Sequence, residues 1–173
     1  FKPVNYFRYQ HKTHYTPVAE PKLNGNEIKY VNDALLSTWI SSRGEYITRF
    51  EQEFSSFCNT QFGLSTSNGT VSIHLALKAL GIGKGDEVIL PDLTFAATIN
   101  AVLLSGAKPV IVDVDESLCM SLESLERVEG LDAVIYVPLN GRSGNADKVS
   151  KYCKANGITL IEDSAHALGS SYT

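Results

Sequence analysis

Two adjacent carboxylates and a nearby imidazole follow a short apolar run near the end of this sequence. Residues 158–161 have the composition of a buried strand, and Glu162 and Asp163 stand at its carboxyl end. His166 lies three residues further on. In an open α/β sheet, ligands bind outside the carboxyl ends of the strands. A carboxylate there stabilises a protonated ring nitrogen, because a nearby opposite charge favours the ionised form. The alternative interpretation is that both acids are solvated loop residues.

The segment 65–70, Ser-Thr-Ser-Asn-Gly-Thr, has the composition of an anion-binding turn. It joins a predicted short strand at 62–65 to a predicted helix that begins at Thr70. Small residues let the backbone approach a ligand, and the first turn of a helix presents unpaired N–H groups and a partial positive charge. The alternative is an ordinary turn in which Ser67 or Asn68 is the N-cap. Neither GxxxxGK[ST] nor GxGxxG occurs here.

Three further places carry residues that could take part in chemistry. Phe95 follows the second predicted strand and could offer a flat apolar face to a ring, although phenylalanine is more often a core residue. Asp113 and Asp115 follow the third strand, and we interpret them as acids of a solvated turn in preference to metal ligands. His11 and His14 have no third ligand nearby and are interpreted as polar surface. The sequence therefore predicts no metal site.

The order of the predicted elements brings the chemical residues to one edge of a sheet. From residue 62 onward, short runs rich in Val and Ile alternate with segments of helical period. This alternation indicates βαβ units, right-handed crossovers and a mainly parallel sheet with helices on both faces, which is the α/β class. The predicted strands are 62–65, 87–90, 109–112, 133–137 and 158–161. Two helices precede residue 60, and further helices are predicted at 70–80, 94–104, 122–128 and 146–155. In the helix at 70–80, the residues predicted to face the core are Val71, Leu75, Leu77 and Leu80.

Composition excludes several classes of function. A chain of 173 residues with 43% hydrophobic and 20% charged residues is typical of a globular domain. A net charge of −4 without a Lys/Arg-rich run argues against a nucleic-acid partner. The apolar runs fall far short of the ~20 residues that a membrane span needs. The three cysteines, Cys58, Cys119 and Cys153, share no CxxC spacing, which favours a reduced, cytoplasmic protein.

An anion-binding turn, an aromatic ring and a carboxylate at one sheet edge would suit pyridoxal phosphate, which has a phosphate, a flat ring and a ring nitrogen. Residues from about 17 to 172 resemble the N-terminal half of the pyridoxal-phosphate-dependent sugar-nucleotide aminotransferases, the DegT-type family of the aspartate aminotransferase fold type I. The matching segments are 17–21, 37–39, 50–51, 67–70, 74–77, 81–89, 91–95, 106–110 and 161–166. The resemblance implies an incomplete large domain of a PLP-dependent transferase fold at residues 26–173, preceded by an N-terminal arm at residues 1–25.

The resemblance implies a role for each residue at the predicted sheet edge. Gly69 and Thr70 would bind the phosphate of the cofactor. Phe95 would stack on the pyridine ring. Asp163 would pair with the ring nitrogen, and His166 would lie near the ring hydroxyl.

The sequence departs from the family in two respects. Asn68 stands where family members commonly have serine, a mild change because the backbone donors are retained. Family members also continue further, and that part carries the Schiff-base lysine, another phosphate-binding serine and the smaller C-terminal domain. We therefore expect this chain alone to be inactive and to bind pyridoxal phosphate weakly or not at all. The strand at 62–65 would lose its usual neighbour, which predicts altered sheet order, self-association through that edge, or disorder around 65–68.

The function that the resemblance implies is amino transfer to a keto sugar linked to a nucleotide, in sugar or cell-surface polysaccharide biosynthesis. An amino donor would be the second substrate, and a homodimer or other self-association is expected. Some relatives carry histidine in place of the lysine and dehydrate the sugar, so a PLP-dependent sugar dehydratase is an alternative. A non-catalytic α/β module that binds a phosphate-bearing ligand is another.

Overall fold

The computed structural model describes residues 20–171 of the chain. The predictions for His11, His14 and most of the N-terminal arm lie outside these residues. The chain divides into two compact units, one that ends at Ser65 and one that begins at Thr66. Within the described range, no helix is both long enough and apolar enough to cross a membrane.

The first unit contains the two helices predicted before residue 60. Helix α1 spans Glu27–Ser37 and helix α2 spans Glu45–Phe57. The two helices contact each other through aromatic and polar side chains: the guanidinium carbon of Arg49 lies 5.2 Å from the ring centroid of Tyr30, and Tyr46 donates its hydroxyl to Asp33 at 3.3 Å. None of the residues in either helix is fully buried, and large apolar side chains such as those of Leu36 and Phe50 are exposed.

The strand predicted at 62–65 is wrong, because in the described part of the chain these residues belong to no sheet. Ser65 donates its backbone N–H and its hydroxyl to the carboxylate of Glu51, at 2.8 and 2.7 Å. These two bonds, the backbone one first, lower the pKa of Glu51 because they stabilise its ionised form. The backbone N–H of Ser65, which a strand would donate to a neighbouring strand, is thus donated to the side chain of Glu51 in α2. Self-association through this segment stays a prediction.

The second unit is built on a parallel sheet, as the alternation of elements predicted. Its elements are α3 (Gly69–Ala79), β1 (Glu87–Pro91), α4 (Ala96–Ser105), β2 (Lys108–Val112), α5 (Leu122–Glu126), β3 (Ala133–Tyr136), a 3-10 turn (Leu139–Gly141), α6 (Ala146–Asn156) and β4 (Thr159–Glu162). The strand order is β2-β1-β3-β4, and each neighbouring pair is parallel. The predicted α/β class is therefore confirmed.

Alternate residues of the central strands pack into two separate cores, because successive side chains of a strand point to opposite faces. One core joins the sheet to α3 and α4 and includes Ile73, Leu77, Val88, Leu90, Ala101, Val102, Ala133 and Ile135. The other joins the sheet to α5 and α6 and includes Ile89, Leu125, Val134, Tyr136, Val149 and Cys153. Helices therefore cover both faces, as predicted. Edge strand β2 is less covered, and its Ile111 is 55% exposed.

Helix α3 packs on the sheet through a narrower face than its sequence predicted. Leu77 is fully buried, but Val71, Leu75 and Leu80 are 43%, 42% and 52% exposed, so their prediction as core residues is wrong. The second buried residue of the helix is Ile73, which lies one turn before Leu77. The pair at i and i+4 forms the contact stripe, since such residues share one face of a helix.

Leu77→Ala should destabilise the chain much more than Leu75→Ala. Removing a fully buried leucine leaves a cavity in the core and costs about 3 kcal/mol, whereas the half-exposed Leu75 should cost less than about 1 kcal/mol. Urea unfolding followed by circular dichroism measures both changes. Equal losses for the two variants would contradict the orientation of α3.

Candidate functional site

The order of the strands places a topological reversal between β1 and β3 in the sheet of the second unit. From β1 the chain passes through α4 to β2 on one side, whereas β3 is followed through α6 by β4 on the other side. Ligands of open α/β sheets bind at such a reversal, outside the carboxyl ends of the strands. Phe95 follows β1 and Asp163 follows β4, where the backbone N–H of Asp163 donates to the carbonyl of Tyr136 at 2.9 Å. Both residues therefore lie at the carboxyl edge.

An open cleft of about 310 Å³ at this edge brings together all five residues predicted to form the site. They are Gly69, Thr70, Phe95, Asp163 and His166. Asn68, Ile73, Ala97 and Ala165 complete the lining. Segments separated by up to about a hundred positions in the sequence thus meet in a single cavity, and all of them belong to the second unit.

The N-terminus of α3 forms one end of the cleft. Asn68 has extended backbone angles, and its side-chain oxygen accepts the N–H of Val71 at 3.1 Å, so Asn68 is the N-cap. Gly69 and Thr70 occupy the first two helical positions, whose N–H groups have no partner inside a helix. Together with the positive end of the helix, these two amides suit an anionic oxygen group.

The space beside Gly69 is open. Apart from Gly69 itself, its chain neighbours and the backbone of its own helix, no protein atom lies within 4 Å of the point that a Cβ here would occupy. A side chain here would therefore project into unfilled space at the start of α3 without a clash. An opening beside two amides that lack helix partners has the character of an anion cradle, and this chemistry suits the phosphate of pyridoxal phosphate.

Phe95 is an exposed aromatic residue at the wall of the cleft. It precedes the first residue of α4 and is 70% exposed, which contradicts the alternative interpretation that it belongs to the core. The alanine at position 97 lines the same cavity and leaves room in front of the helix. An uncovered phenyl ring beside small residues can stack on a flat ligand ring.

Asp163 and Glu162 differ in their surroundings although they are adjacent. Glu162 is exposed, as expected for a solvated acid, whereas Asp163 is half-buried. The Oδ2 atom of Asp163 accepts the hydroxyl of Thr98 at 2.8 Å, and its Oδ1 atom accepts the N–H of Ala165 at 3.4 Å. The interpretation of both acids as solvated residues is thus wrong for Asp163, which is held in the wall of the cleft.

Sequence reasoning did not identify Thr98 as part of the site. Its side chain is fully buried and shares a second hydrogen bond of 2.8 Å with the hydroxyl of Thr94. Thr94 precedes the N-cap of α4 and Thr98 lies in its first turn, so helical spacing gave no signal for this pair. The contact with Asp163 spans 65 positions and has no counterpart in local sequence.

His166 and Asp115 have different surroundings. His166 is exposed and lines the cleft. It lies in a turn that is closed by a hydrogen bond of 2.9 Å from the Ala167 N–H to the Ser164 carbonyl.

Asp115 does not line the cleft. Its carboxylate accepts the N–H of Ser117 at 2.8 Å and also bonds the Asn145 amide, so it fixes two loops and is not a freely solvated acid.

Known proteins similar to this chain share its fold. The pattern of the DegT/DnrJ/EryC1/StrS aminotransferase family matches residues 21–173. The GDP-perosamine synthase of Vibrio cholerae is 44% identical over 158 residues, which are 90% of this chain and 43% of that protein. The solved aminotransferase from Psychrobacter cryohalolentis has a TM-score of 0.83 and 33% identity, covering 88% of this chain and 40% of that one. The Escherichia coli GDP-4-keto-6-deoxy-D-mannose-3-dehydratase, solved with hydrated PLP bound, has a TM-score of 0.83 and 27% identity over 91% of this chain and 42% of that one.

The fold of the chain is that of the pyridoxal-phosphate-dependent aminotransferases of fold type I. The chain belongs to the DegT/DnrJ/EryC1/StrS aminotransferase family, a family of enzymes that use pyridoxal phosphate and act on nucleotide sugars. It spans less than half the length of the relatives that it matches. The family prediction made from the sequence is confirmed.

Asn68→Ala should lower stability and Asn68→Ser should not. Alanine removes the acceptor for the Val71 N–H, and loss of an N-cap costs about 1 kcal/mol. Serine, the residue common in the family, supplies a hydroxyl acceptor at the same place, so its cost should be less than half of that. Urea unfolding of the two variants measures the difference. Equal stabilities for alanine and serine would show that the cap does not hold the start of α3.

Proposed function

We propose that this chain is the N-terminal portion of a PLP-dependent aminotransferase that acts on a keto sugar linked to a nucleotide. The observation that carries the proposal is the cleft itself. It combines two free helix amides, an exposed aromatic ring and an oriented carboxylate, which correspond to the phosphate, the ring and the ring nitrogen of the cofactor. Three separate features of one ligand are thus complemented by three segments of the chain.

The residues of the cleft would contact different parts of the cofactor. The N–H groups of Gly69 and Thr70 bind the phosphate, and the ring of Phe95 covers one face of the pyridine. The carboxylate of Asp163 stabilises a proton on the ring nitrogen, because an opposite charge at contact distance favours the ionised form. His166 lies near the ring hydroxyl. When bound, pyridoxal phosphate supplies the electron sink that amino-group transfer needs.

No lysine lines the cleft in the part of the chain that the structure describes. Lys151 extends from α6 and pairs with Asp147 of the same helix at 3.3 Å, with its side chain 80% exposed. A lysine nucleophile must instead be desolvated next to the cofactor. We therefore propose that these 173 residues bind the cofactor weakly and non-covalently, and that they do not catalyse transfer by themselves.

The substrate class follows from the relatives and remains part of the proposal. The 44% identity to GDP-perosamine synthase supports amino transfer to a nucleotide-linked keto sugar, in sugar or cell-surface polysaccharide biosynthesis. Sugar dehydration is the second candidate, because a GDP-4-keto-6-deoxymannose-3-dehydratase has an equally high TM-score. The higher identity of the aminotransferases favours the first candidate.

Two further properties complete the proposal. Self-association, as a homodimer or otherwise, is supported by exposed apolar side chains such as those of Leu36, 83% exposed, and Ile28, 72% exposed.

A cytoplasmic setting is supported by the three cysteines, all of which are free thiols. An amino donor is the second substrate that transfer requires.

Pyridoxamine 5′-phosphate should bind the chain saturably, and Asp163→Asn should weaken binding at least tenfold. The asparagine keeps the shape of the side chain but removes the charge that pairs with the protonated ring nitrogen. A titration that follows the amide resonances of Gly69 and Thr70 by NMR measures affinity and location together.

The matched control is Glu162→Gln, which removes the adjacent, exposed charge and should leave the affinity within twofold of the original. Absence of saturable binding to the original chain would contradict the proposed function. Equal losses in the two variants would contradict the role proposed for Asp163, because they would reflect net charge alone.

A further inference from the structure

Thr98 carries a polar group that is fully enclosed by protein. It lies in the first turn of α4, and none of its surface is exposed. A threonine in a helix usually bonds a carbonyl of its own preceding turn. The Thr98 hydroxyl instead donates to Oδ2 of Asp163 at 2.8 Å, beyond the end of β4. The bond thus ties the helix to the residue at the far side of the cleft.

The geometry of the three side chains sets the direction of their protons. A hydroxyl has a single proton to donate, and an ionised carboxylate can only accept. Because Thr98 donates its only proton to Oδ2 of Asp163, its oxygen is left to accept the proton of Thr94 at 2.8 Å. The chain Thr94–Thr98–Asp163 then directs both hydroxyl protons towards the carboxylate.

The two oxygen atoms of Asp163 are therefore not equivalent. Oδ2 is engaged by the buried hydroxyl, whereas Oδ1 has only the long contact of 3.4 Å with the N–H of Ala165. Asp163 also lines the cleft, and Oδ1 is the oxygen with the greater spare acceptor capacity for a ligand there. Rotation of the carboxylate would break the bond to Thr98, which keeps this assignment fixed.

We propose that Thr98 is a positioning residue that orients the Asp163 carboxylate so that Oδ1 meets the ring nitrogen of a bound pyridine cofactor. The inference rests on the proposed function, since it assigns a task to Thr98 only if the cleft receives that ring. Thr98 itself does not line the cleft and acts through Asp163. Its contribution is therefore specific to the ring nitrogen and not to the phosphate.

The test compares two probes that differ in one ring atom. One is pyridoxamine 5′-phosphate, and the other is its analogue with C–H in place of the ring nitrogen. Dissociation constants for both are measured by the amide-resonance titration on the original chain, Thr98→Val, Thr98→Ser and Asp163→Asn. The matched control is Ser105→Ala, which removes another buried hydroxyl of α4 that bonds only backbone atoms at the other end of the helix.

Thr98→Val should weaken binding of pyridoxamine phosphate about tenfold, equivalent to about 1.4 kcal/mol, and should change binding of the carbon analogue less than twofold. Thr98→Ser restores the hydroxyl, so its dissociation constant for pyridoxamine phosphate should stay within threefold of that of the original chain. The control variant Ser105→Ala should bind both probes as the original chain does. Equal weakening of both probes by Thr98→Val would overturn the inference, because it would indicate a merely structural role. The inference would also be overturned if Thr98→Val bound pyridoxamine phosphate as tightly as the original chain while Asp163→Asn bound it more weakly. If the original chain binds neither probe, the proposed function fails, and this inference fails with it.

Discussion

The parallel pairing of β1, β3 and β4 determines where the residues proposed to bind the cofactor lie in the second unit. The register aligns Val88 with Ala133 and Tyr136 with Glu162, so the strands end at the same edge of the sheet. Because the chain leaves this edge on opposite sides of the β1–β3 pair, the segments that follow β1 and β4 flank an open cleft. Phe95 and Asp163 face a common cavity as a consequence of backbone pairing, before any side chain is considered.

Two helices add an electrostatic character to that edge. The N-terminal residues of α3 and α4 both line the cleft, and at their other ends Lys78 of α3 donates to the carbonyl of Ser105 in α4 at 2.8 Å. The helices therefore run in the same direction and present their positive ends to the cavity. The carboxylate of Asp163 lies beside the first turn of α4, where it accepts the hydroxyl of Thr98, and the N-terminus of α3 lies elsewhere along the cleft. A ligand with an anionic group at one end and a cationic ring atom at the other fits this distribution of charge.

The sequence predicted most of this arrangement because the dominant signals are local. Hydrophobic period and glycine or asparagine at helix ends located the helices and the central strands to within a few residues. Phe95, Asp163 and His166 were selected because they follow strands, whereas Gly69 and Thr70 were selected from the small residues that precede a helix. Two errors arose where local pattern competes with tertiary contacts: the apolar residues at 62–65 form no strand, since Glu51 binds the backbone of Ser65, and Leu75 is exposed although its spacing matches that of a core residue.

Thr98 shows the limit of prediction from sequence most clearly. Its importance depends on a contact with Asp163 across 65 positions, and nothing in the segment around Thr98 encodes that partner. Buried polar groups are satisfied by whatever the fold brings near them, so they become visible only once the sheet order is known. The half-buried state of Asp163, in contrast with exposed Glu162, has the same origin in the packing of α4 against the end of β4.

The most direct measurement of the central claim is a crystal structure of the chain with pyridoxamine 5′-phosphate. The account predicts the phosphate within hydrogen-bond distance of the Gly69 and Thr70 amides, the ring against Phe95, and the ring nitrogen next to Oδ1 of Asp163. A phosphate bound elsewhere, or a ring nitrogen that points away from Asp163, would contradict it.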